Sequence, residues 1–152
     1  MSGDGDEVTF TERRSVLSAM ENKKLMQDIF AAVAAGNRAL LLESLADDVT
    51  MRVTGQNSWA QTFKGKASLV RDLYGYLSTL LADGRRTIAH RFIADGDHVV
   101  VEARGDMMTK AGVRYENEYC LVYRLQDGKI VEITEYCDSA LCEAVLGKYP
   151  AA

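Results

Sequence analysis

A carboxylate near the end of the last alternating run of the chain is the first candidate for acid/base chemistry. Within residues 130–138, Val131 and Ile133 share one side with Glu135, whereas Glu132 occupies the other. Alternate residues of a strand face opposite sides, so the pattern predicts Glu135 on the apolar, covered face of a sheet. An apolar environment raises the pKa of a carboxyl group, which suits it to proton transfer near neutral pH. The alternative is a glutamate at the rim, paired with an arginine.

Polar groups of the preceding run are predicted to face the same carboxylate. Tyr115, Asn117 and Tyr119 alternate with Glu116 and Glu118, which are better solvated on the outside. Asn117 is a candidate catalytic group that orients a water or a carbonyl, or else a residue that satisfies buried backbone. Tyr119 is a candidate hydrogen-bond donor to a developing enolate, or else a core residue with its hydroxyl at the rim.

Further candidates lie earlier in the chain. His90 is in the middle of a run of ambiguous parity and is a candidate acid/base partner of Glu135. Trp59 and Phe63 lie in a long loop and are expected to close the mouth of the pocket, although Trp59 is equally suited to plain packing. The residues predicted to contact a ligand are Trp59, Phe63, Met51, Val53, Tyr115 and Ile133.

The elements that must position these residues follow from apolar periodicity. Helical spacing predicts helices that end at Gly36, near Asp47-Asp48 and at Asp83-Gly84. The third helix is predicted to bury one face, formed by Leu69, Val70, Leu73, Tyr76, Leu77, Leu80 and Leu81. Period-two patterns predict a strand at 49–53, a loop at 54–66, and four long strands at 86–94, 98–108, 113–125 and 130–138. Strands of that length imply strong twist or bulges.

Composition excludes several classes of function. The net charge is −4 and the pI is about 5.2, which argues against a nucleic-acid partner. No apolar run approaches the length of a membrane span, and the acidic N-terminus is unlike a signal peptide, so a cytoplasmic protein is expected. The three cysteines and two histidines show no metal-ligand spacing, and no glycine-rich phosphate loop is present. We therefore expect neither a metal nor a cofactor.

Four stretches carry a resemblance to a known family: AGNRALLLESLADDVTMRVTG (35–55), FKGKASLVRDL (63–73), ADGDHVVVEARG (94–105) and YENEYCLVYRLQDGKIVEITEYCDSAL (115–141). In this order they resemble the nuclear transport factor 2-like superfamily, and within it the SnoaL-like and ketosteroid-isomerase-like proteins. The resemblance implies an α+β fold, with a cone-shaped, curved antiparallel sheet wrapped on N-terminal helices (a cystatin-like roll). It implies one domain at 21–149, preceded by a partly helical extension at 1–20.

The resemblance does not fix the chemistry, because this superfamily includes isomerases, epoxide hydrolases, cyclases, dehydratases and binding modules. Similar limonene epoxide hydrolases keep an acidic residue at the place of Glu135 and pair it with an Arg-x-Asp. Here Ala103 and Gly105 occupy those positions, and Arg104 and Asp106 point the other way unless a bulge intervenes. The resemblance also implies a homodimer through the convex sheet face, which carries Cys120 and Val122 among others.

Two functions remain open at this point. The first is a cofactor-independent enzyme that performs acid/base chemistry on a small apolar molecule, of the isomerase, cyclase, dehydratase or hydrolase type. The second is a non-catalytic module that binds a ligand or a protein in the same hollow. Three or more polar groups converging beside Glu135 would favour the enzyme, and an isolated carboxylate would favour binding.

Overall fold

The computed structural model describes the backbone of residues 10–151 and the side chains from Ser18 onward. Of the extension predicted at 1–20, residues 1–9 lie outside the described residues, and the backbone of residues 10–20 forms the first part of α1. The helical elements are α1 (Phe10–Ala34), α2 (Ala39–Ser44), α3 (Lys66–Ser68), a π-helical segment (Leu69–Gly75), α4 (Tyr76–Leu80) and α5 (Ser139–Leu146). The strands are β1 (Leu45–Val53), β2 (Thr62–Lys64), β3 (Arg86–Asp95), β4 (His98–Met108), β5 (Arg114–Tyr115), β6 (Glu118–Gln126) and β7 (Lys129–Cys137).

The α+β architecture predicted from the sequence is confirmed, with one change in the sheet. The strand order is β2-β1-β7-β6-β4-β3, with β5 added beside β4. Neighbouring strands from β3 to β7 pair antiparallel, but β1 runs parallel to β7, with Met51 opposite Ile133 and Val53 opposite Glu135. The predicted all-antiparallel sheet is therefore wrong at this junction. No hairpin connects β1 to β7, so local turn chemistry does not fix their relative direction.

The strand predicted at 113–125 is broken in two by Asn117. Its side-chain amide donates to the carbonyl of Asp138 over 2.9 Å, and its oxygen accepts from the Asp138 N–H over 3.0 Å. The Asp138 side chain in turn accepts from Leu141 N and caps α5. Asn117 is 0% exposed, and its side chain joins the interruption between β5 and β6 to the segment that connects β7 to α5.

A bulge in β3 decides which of its side chains face the helices. Ala89 pairs with Ala103 and Arg91 pairs with Glu102, which leaves His90 as an extra residue. The extra residue reverses the parity of the strand, so that Ala89 and the later Phe92 are both partly buried on the inner side. His90 itself is exposed.

The third helix differs from the prediction because its first half is π-helical. Leu69, Leu73, Leu77 and Leu81 are spaced four residues apart, and this spacing drifts by about 40° per step around an α-helix. The wider π-helical turn offsets that drift and keeps the leucines on one side. One consequence is that Val70, predicted to be buried, is 36% exposed, and that Tyr74 points inward.

The core lies between the sheet and α1, which packs against β3 and β4. Met26 and Ile29 of α1 are fully buried there. The opposite, convex face of the sheet exposes Ile88, Ile93 and Tyr136. A homodimer through this face stays a prediction. None of the helices within residues 10–151 is long and apolar enough to cross a membrane.

We predict that Asn117→Ala destabilises the fold by about 3 kcal/mol, because it removes a fully buried amide that forms two part-buried hydrogen bonds with the Asp138 backbone and a third with Tyr115. The free energy of unfolding, measured by urea denaturation, checks this. Asn37→Ala is the matched control, since the Asn37 side chain also accepts a backbone N–H (that of Ala39) but is exposed. Equal losses in the two variants would contradict the structural role of Asn117.

Candidate functional site

A cavity of about 120 Å³ lies between the concave face of the sheet and the helices. This volume is close to that of engineered apolar cavities that hold one benzene ring. Its apolar lining residues are Ile29, Phe30, Val33, Leu41, Met51, Val53, Trp59, Leu73, Leu77, Leu81, Met107, Leu121, Ile133, Cys142 and Leu146. Its polar lining residues are Arg38, Tyr74, Arg85, Thr87, Tyr115, Tyr119, Tyr123 and Glu135.

Glu135 presents its carboxyl group to this cavity. β7 holds the residue between Val53 of β1 and Leu121 of β6. Its carbonyl accepts from both the backbone N–H and the hydroxyl of Thr54, over 3.0 and 2.9 Å. The carboxyl group itself forms no hydrogen bond or ion pair with any residue of the described chain; the residue is half-buried, with its carboxyl oxygens accessible from the cavity, and desolvation raises its pKa to about 7. Glu135 is therefore an uncompensated carboxyl group, half protonated near neutral pH.

Three phenols share the cavity with Glu135. Tyr74 comes from the π-helical segment, and Tyr119 and Tyr123 come from β6. Burial raises the pKa of Tyr74 to about 12 and raises those of Tyr119 and Tyr123. The charge of Glu135, which lines the same cavity, adds to the rise in the pKa of each phenol. The phenols stay protonated at physiological pH and so remain hydrogen-bond donors.

Tyr115 and the two thiols beside the cavity are less available for chemistry. The Tyr115 hydroxyl already accepts a 3.0 Å hydrogen bond from Asn117, and burial raises its pKa. Burial also raises the pKa of Cys137 to about 12 and that of Cys142 to about 11. A protonated thiol is a poor nucleophile, so neither cysteine is suited to covalent catalysis. In the described part of the chain, no three His, Cys, Asp or Glu side chains converge as metal ligands.

Trp59 forms a fixed wall of the cavity. Its ring stacks on Tyr76 with centroids 5.7 Å apart and meets Tyr149 edge-on at 5.1 Å. Its indole N–H donates to the carbonyl of Gly147 over 2.8 Å, and the residue is 4% exposed. These contacts tie the loop after β1 to the C-terminal segment. The anchoring fits the packing alternative better than a mobile lid.

Three residues predicted for the site are not brought into the cavity. His90 is exposed at the β3 bulge and does not line the cavity. Asn117 is buried, and its amide is occupied by Asp138 and Tyr115, so it positions other residues. Phe63 is buried in β2 against Tyr149 and does not line the cavity. The other predicted residues, namely Met51, Val53, Trp59, Tyr115, Tyr119, Ile133 and Glu135, all line it.

The bulge that an epoxide hydrolase arrangement requires is absent from the register of β4 with β6. Arg104 is exposed and bonds to Glu116 over 3.0 Å. Asp106 pairs with Arg86 and Arg114 on the outer face, and these guanidinium groups hold the pKa of Asp106 down. Both charged groups therefore lie outside, and Glu135 lacks the Arg-x-Asp partner of those enzymes.

Sequence reasoning missed four polar lining residues: Arg38, Tyr74, Arg85 and Thr87. Strand parity predicts Tyr123 on the inward face together with Tyr119, although Tyr123 was not among the predicted site residues. The four-residue spacing of the leucines around Tyr74 was a usable signal for the π-helical turn. The two arginines carried no local signal, since each lies in a turn, just after the glycines Gly36 and Gly84.

A family model of the SnoaL-like domain matches residues 26–133 of the chain. The solved structures similar in fold include an NTF2-like protein of unknown function from Burkholderia pseudomallei, with a TM-score of 0.71 and 19% identity over 82% of this chain and 96% of that one. They include a protein of Jannaschia sp. assigned as a SnoaL-like polyketide cyclase, with a TM-score of 0.69 and 12% identity over 98% and 100% of the two chains. TerC, co-crystallised with polyporic acid, has a TM-score of 0.68 and 20% identity over 82% and 97%.

No curated protein sequence matches the chain significantly. Identities this low establish the fold and leave the activity open. The family match covers most of the described chain, from the second half of α1 through β6 and into β7, and ends at Ile133, two residues before Glu135. By sequence and by fold, the chain belongs to the SnoaL-like domain family.

Proposed function

We propose that this protein is an enzyme that abstracts a proton next to a carbonyl group of a small, largely apolar substrate, with Glu135 as the base. The observation that carries the proposal is that the Glu135 carboxyl group has no partner in the described chain and a raised pKa. It faces an apolar cavity without a hydrogen-bond or ion-pair partner among the described residues, and its pKa is about 7. A base is most effective when its pKa lies near the working pH.

The three phenols support an enzyme over a passive binding module. Removal of a proton beside a carbonyl builds negative charge on the carbonyl oxygen, and a donor aimed at that oxygen stabilises the charge. Tyr119 is our candidate for this donor, with Tyr74 and Tyr123 as the alternatives around the same carboxyl group. The sequence also suggested Asn117 for a positioning role, but we assign the donor role to Tyr119, because the Asn117 amide already bonds the backbone of Asp138.

The chemistry fits the size and polarity of the cavity. A volume of about 120 Å³ with mostly aliphatic walls accepts a ring or a short carbon skeleton. Isomerisation, dehydration and aldol cyclisation all begin with removal of such a proton and need no further group in the first step. The structural neighbour assigned as a polyketide cyclase is compatible with that class.

We predict that Glu135→Gln lowers the rate of proton abstraction by at least about a hundredfold, because the amide cannot accept the proton. The assay follows exchange of the benzylic hydrogens of phenylacetone and related aryl ketones for deuterium, by proton NMR in D₂O. Glu132→Gln is the matched control, since Glu132 is in the same strand but exposed and paired with Arg124. A Glu135→Gln protein as fast as the wild type would contradict the assignment. Tight binding of these ketones without exchange would favour the binding module.

The exchange rate is predicted to rise with pH through an inflection near 7 and then level off, because only the ionised Glu135 accepts a proton. The charged and titratable groups around it are Arg38, Tyr74, Tyr119, Tyr123, Cys137 and Cys142. The phenols and thiols have pKa values raised by burial, so they add no inflection in this range. An inflection near 4.5, the ordinary glutamate value, would contradict the buried environment.

Glu135→Gln is also predicted to stabilise the protein at pH 8, by up to about 3 kcal/mol, and to change it little at pH 5. Folding raises the Glu135 pKa from 4.5 to about 7, so the folded state binds this proton more tightly than the unfolded chain does. The stability from that proton is complete below pH 4.5 and is lost as pH rises to about 7, at about 1.4 kcal/mol per pKa unit. Glutamine is neutral throughout and avoids the loss. Urea denaturation at both pH values checks this; a uniform effect, or a loss at pH 8, would contradict it.

A further inference from the structure

Two arginines line both the cavity and a second space beside it. This outer space, which we call the vestibule, has a volume of about 240 Å³ and is lined by Gly36, Arg38, Ser78, Leu81, Ala82, Asp83, Gly84 and Arg85. Arg38, Leu81 and Arg85 line both spaces, so the vestibule adjoins the cavity at these three residues. A molecule that extends from the cavity past these residues would therefore meet both arginines.

The fold holds both arginines there by backbone geometry. Arg38 follows the turn at Gly36, which has φ of +82° and ends α1, and it occupies the position before α2. Arg85 follows the turn at Gly84, which has φ of +81°, and it leads into β3. A positive φ is accessible to glycine at little cost, so both turns are well specified. Two separate helix ends thus deliver a guanidinium group to the same opening.

These charges lack the carboxylate partners that other arginines of the protein have. Arg86, Arg91, Arg104, Arg114 and Arg124 all form ion pairs on the outer face. Within the described side chains, neither Arg38 nor Arg85 lies in salt-bridge distance of a carboxylate, and Arg85 bonds to the hydroxyl of Ser78 over 2.7 Å. Burial and the neighbouring charge of Arg38 lower the pKa of Arg85, with Asp83 offsetting part of this effect. The two like charges of Arg38 and Arg85 line one opening and disfavour each other, and an anion bound there would relieve that cost.

We propose that the substrate is an amphipathic carboxylic acid, whose apolar part fills the cavity while its carboxylate binds Arg38 and Arg85 in the vestibule. A guanidinium group bonds a carboxylate with two parallel N–H donors, which favours arginine at such a site. A carboxylate fits better than a phosphate, because Asp83 lines the same vestibule and reduces its net charge to that of a single cation. The anchor also explains how a substrate is held in one direction, with its reacting carbonyl next to Glu135 and the phenols.

This proposal deepens the proposed function and uses the same cavity, but it is tested by binding alone. The probes are phenylbutanoate and its neutral amide, phenylbutanamide, which differ only in the charge at one end. Trp59 is the single tryptophan of the chain and lines the cavity, so its fluorescence reports occupancy. We expect the wild type to bind the carboxylate at least about tenfold more tightly than the amide, since a charge-assisted hydrogen bond contributes on this scale.

Arg38→Gln and Arg85→Gln are each expected to remove most of this preference, and to leave affinity for the amide unchanged. Arg52→Gln is the control for net charge, because Arg52 is exposed on β1 and does not line the cavity or the vestibule. Glu135→Gln is expected to keep the preference, so failure of the catalytic assignment and failure of the anion site give different results. Equal affinities for the two probes, no binding of phenylbutanoate at millimolar concentration, or a preference that survives both arginine variants would overturn the proposal. Tighter binding of phenylpropyl phosphate would overturn the choice of a carboxylate.

Discussion

The burial of one uncompensated carboxyl group is the constraint on which the rest of this site depends. A protein gains nothing in stability from an ionised Glu135 in an apolar hollow, because the charge loses its hydration and finds no partner in return. The surrounding structure must therefore hold the residue in place by other means. It does so through the backbone: β1 and β6 flank Glu135 on both sides, and Thr54 bonds its carbonyl twice. The backbone of Glu135 is thereby fixed, although its carboxyl group has no charged partner among the described residues.

The other charged residues of the central strands lie on the outer face of the sheet, and their absence from the inner face leaves Glu135 without an ion-pair partner among the described residues. The outer face carries a chain of ion pairs that joins Arg86, Asp106, Arg114, Glu116 and Arg104. Pairs as exposed as these contribute little to stability, but they satisfy the charges that flank the inward residues Ala103 and Gly105. Because those inward residues carry no charge, nothing from β4 compensates Glu135. The parity of β4 places Arg104 on the outer face of the sheet, and Glu135 on the inner face therefore has no partner from that strand.

The part of the site that could be predicted from the sequence is the part governed by strand parity. Glu135, Ile133, Tyr115 and Tyr119 follow directly from the period of two in strands whose register has no shift near them. Parity failed at His90, where one extra residue reverses the inward and outward faces and no residue type announces it. It also failed at Asn117, which has the inward parity but is drawn away by Asp138, a partner 21 residues later in the chain. Register shifts and long-range hydrogen bonds are properties of the folded pair of strands, so one strand's sequence does not contain them.

The helical side of the cavity was harder to predict, for a related reason. An α-helical period predicts Tyr76 inward, and the π-helical segment instead turns Tyr74 toward Glu135 and leaves Tyr76 stacked on Trp59. Gly75 avoids crowding in that segment, because a Cβ atom there would lie 3.2 Å from the carbonyl oxygen of Val70, a tight contact. A π-helical turn is energetically less favourable than an α-helical turn, so it occurs where tertiary contacts stabilise it. The gain here is a phenol beside the buried carboxyl group, opposite those supplied by β6. The irregular turn in the helix, the bulge in β3 and the break at Asn117 thus share one effect: each sets which side chains the cavity receives.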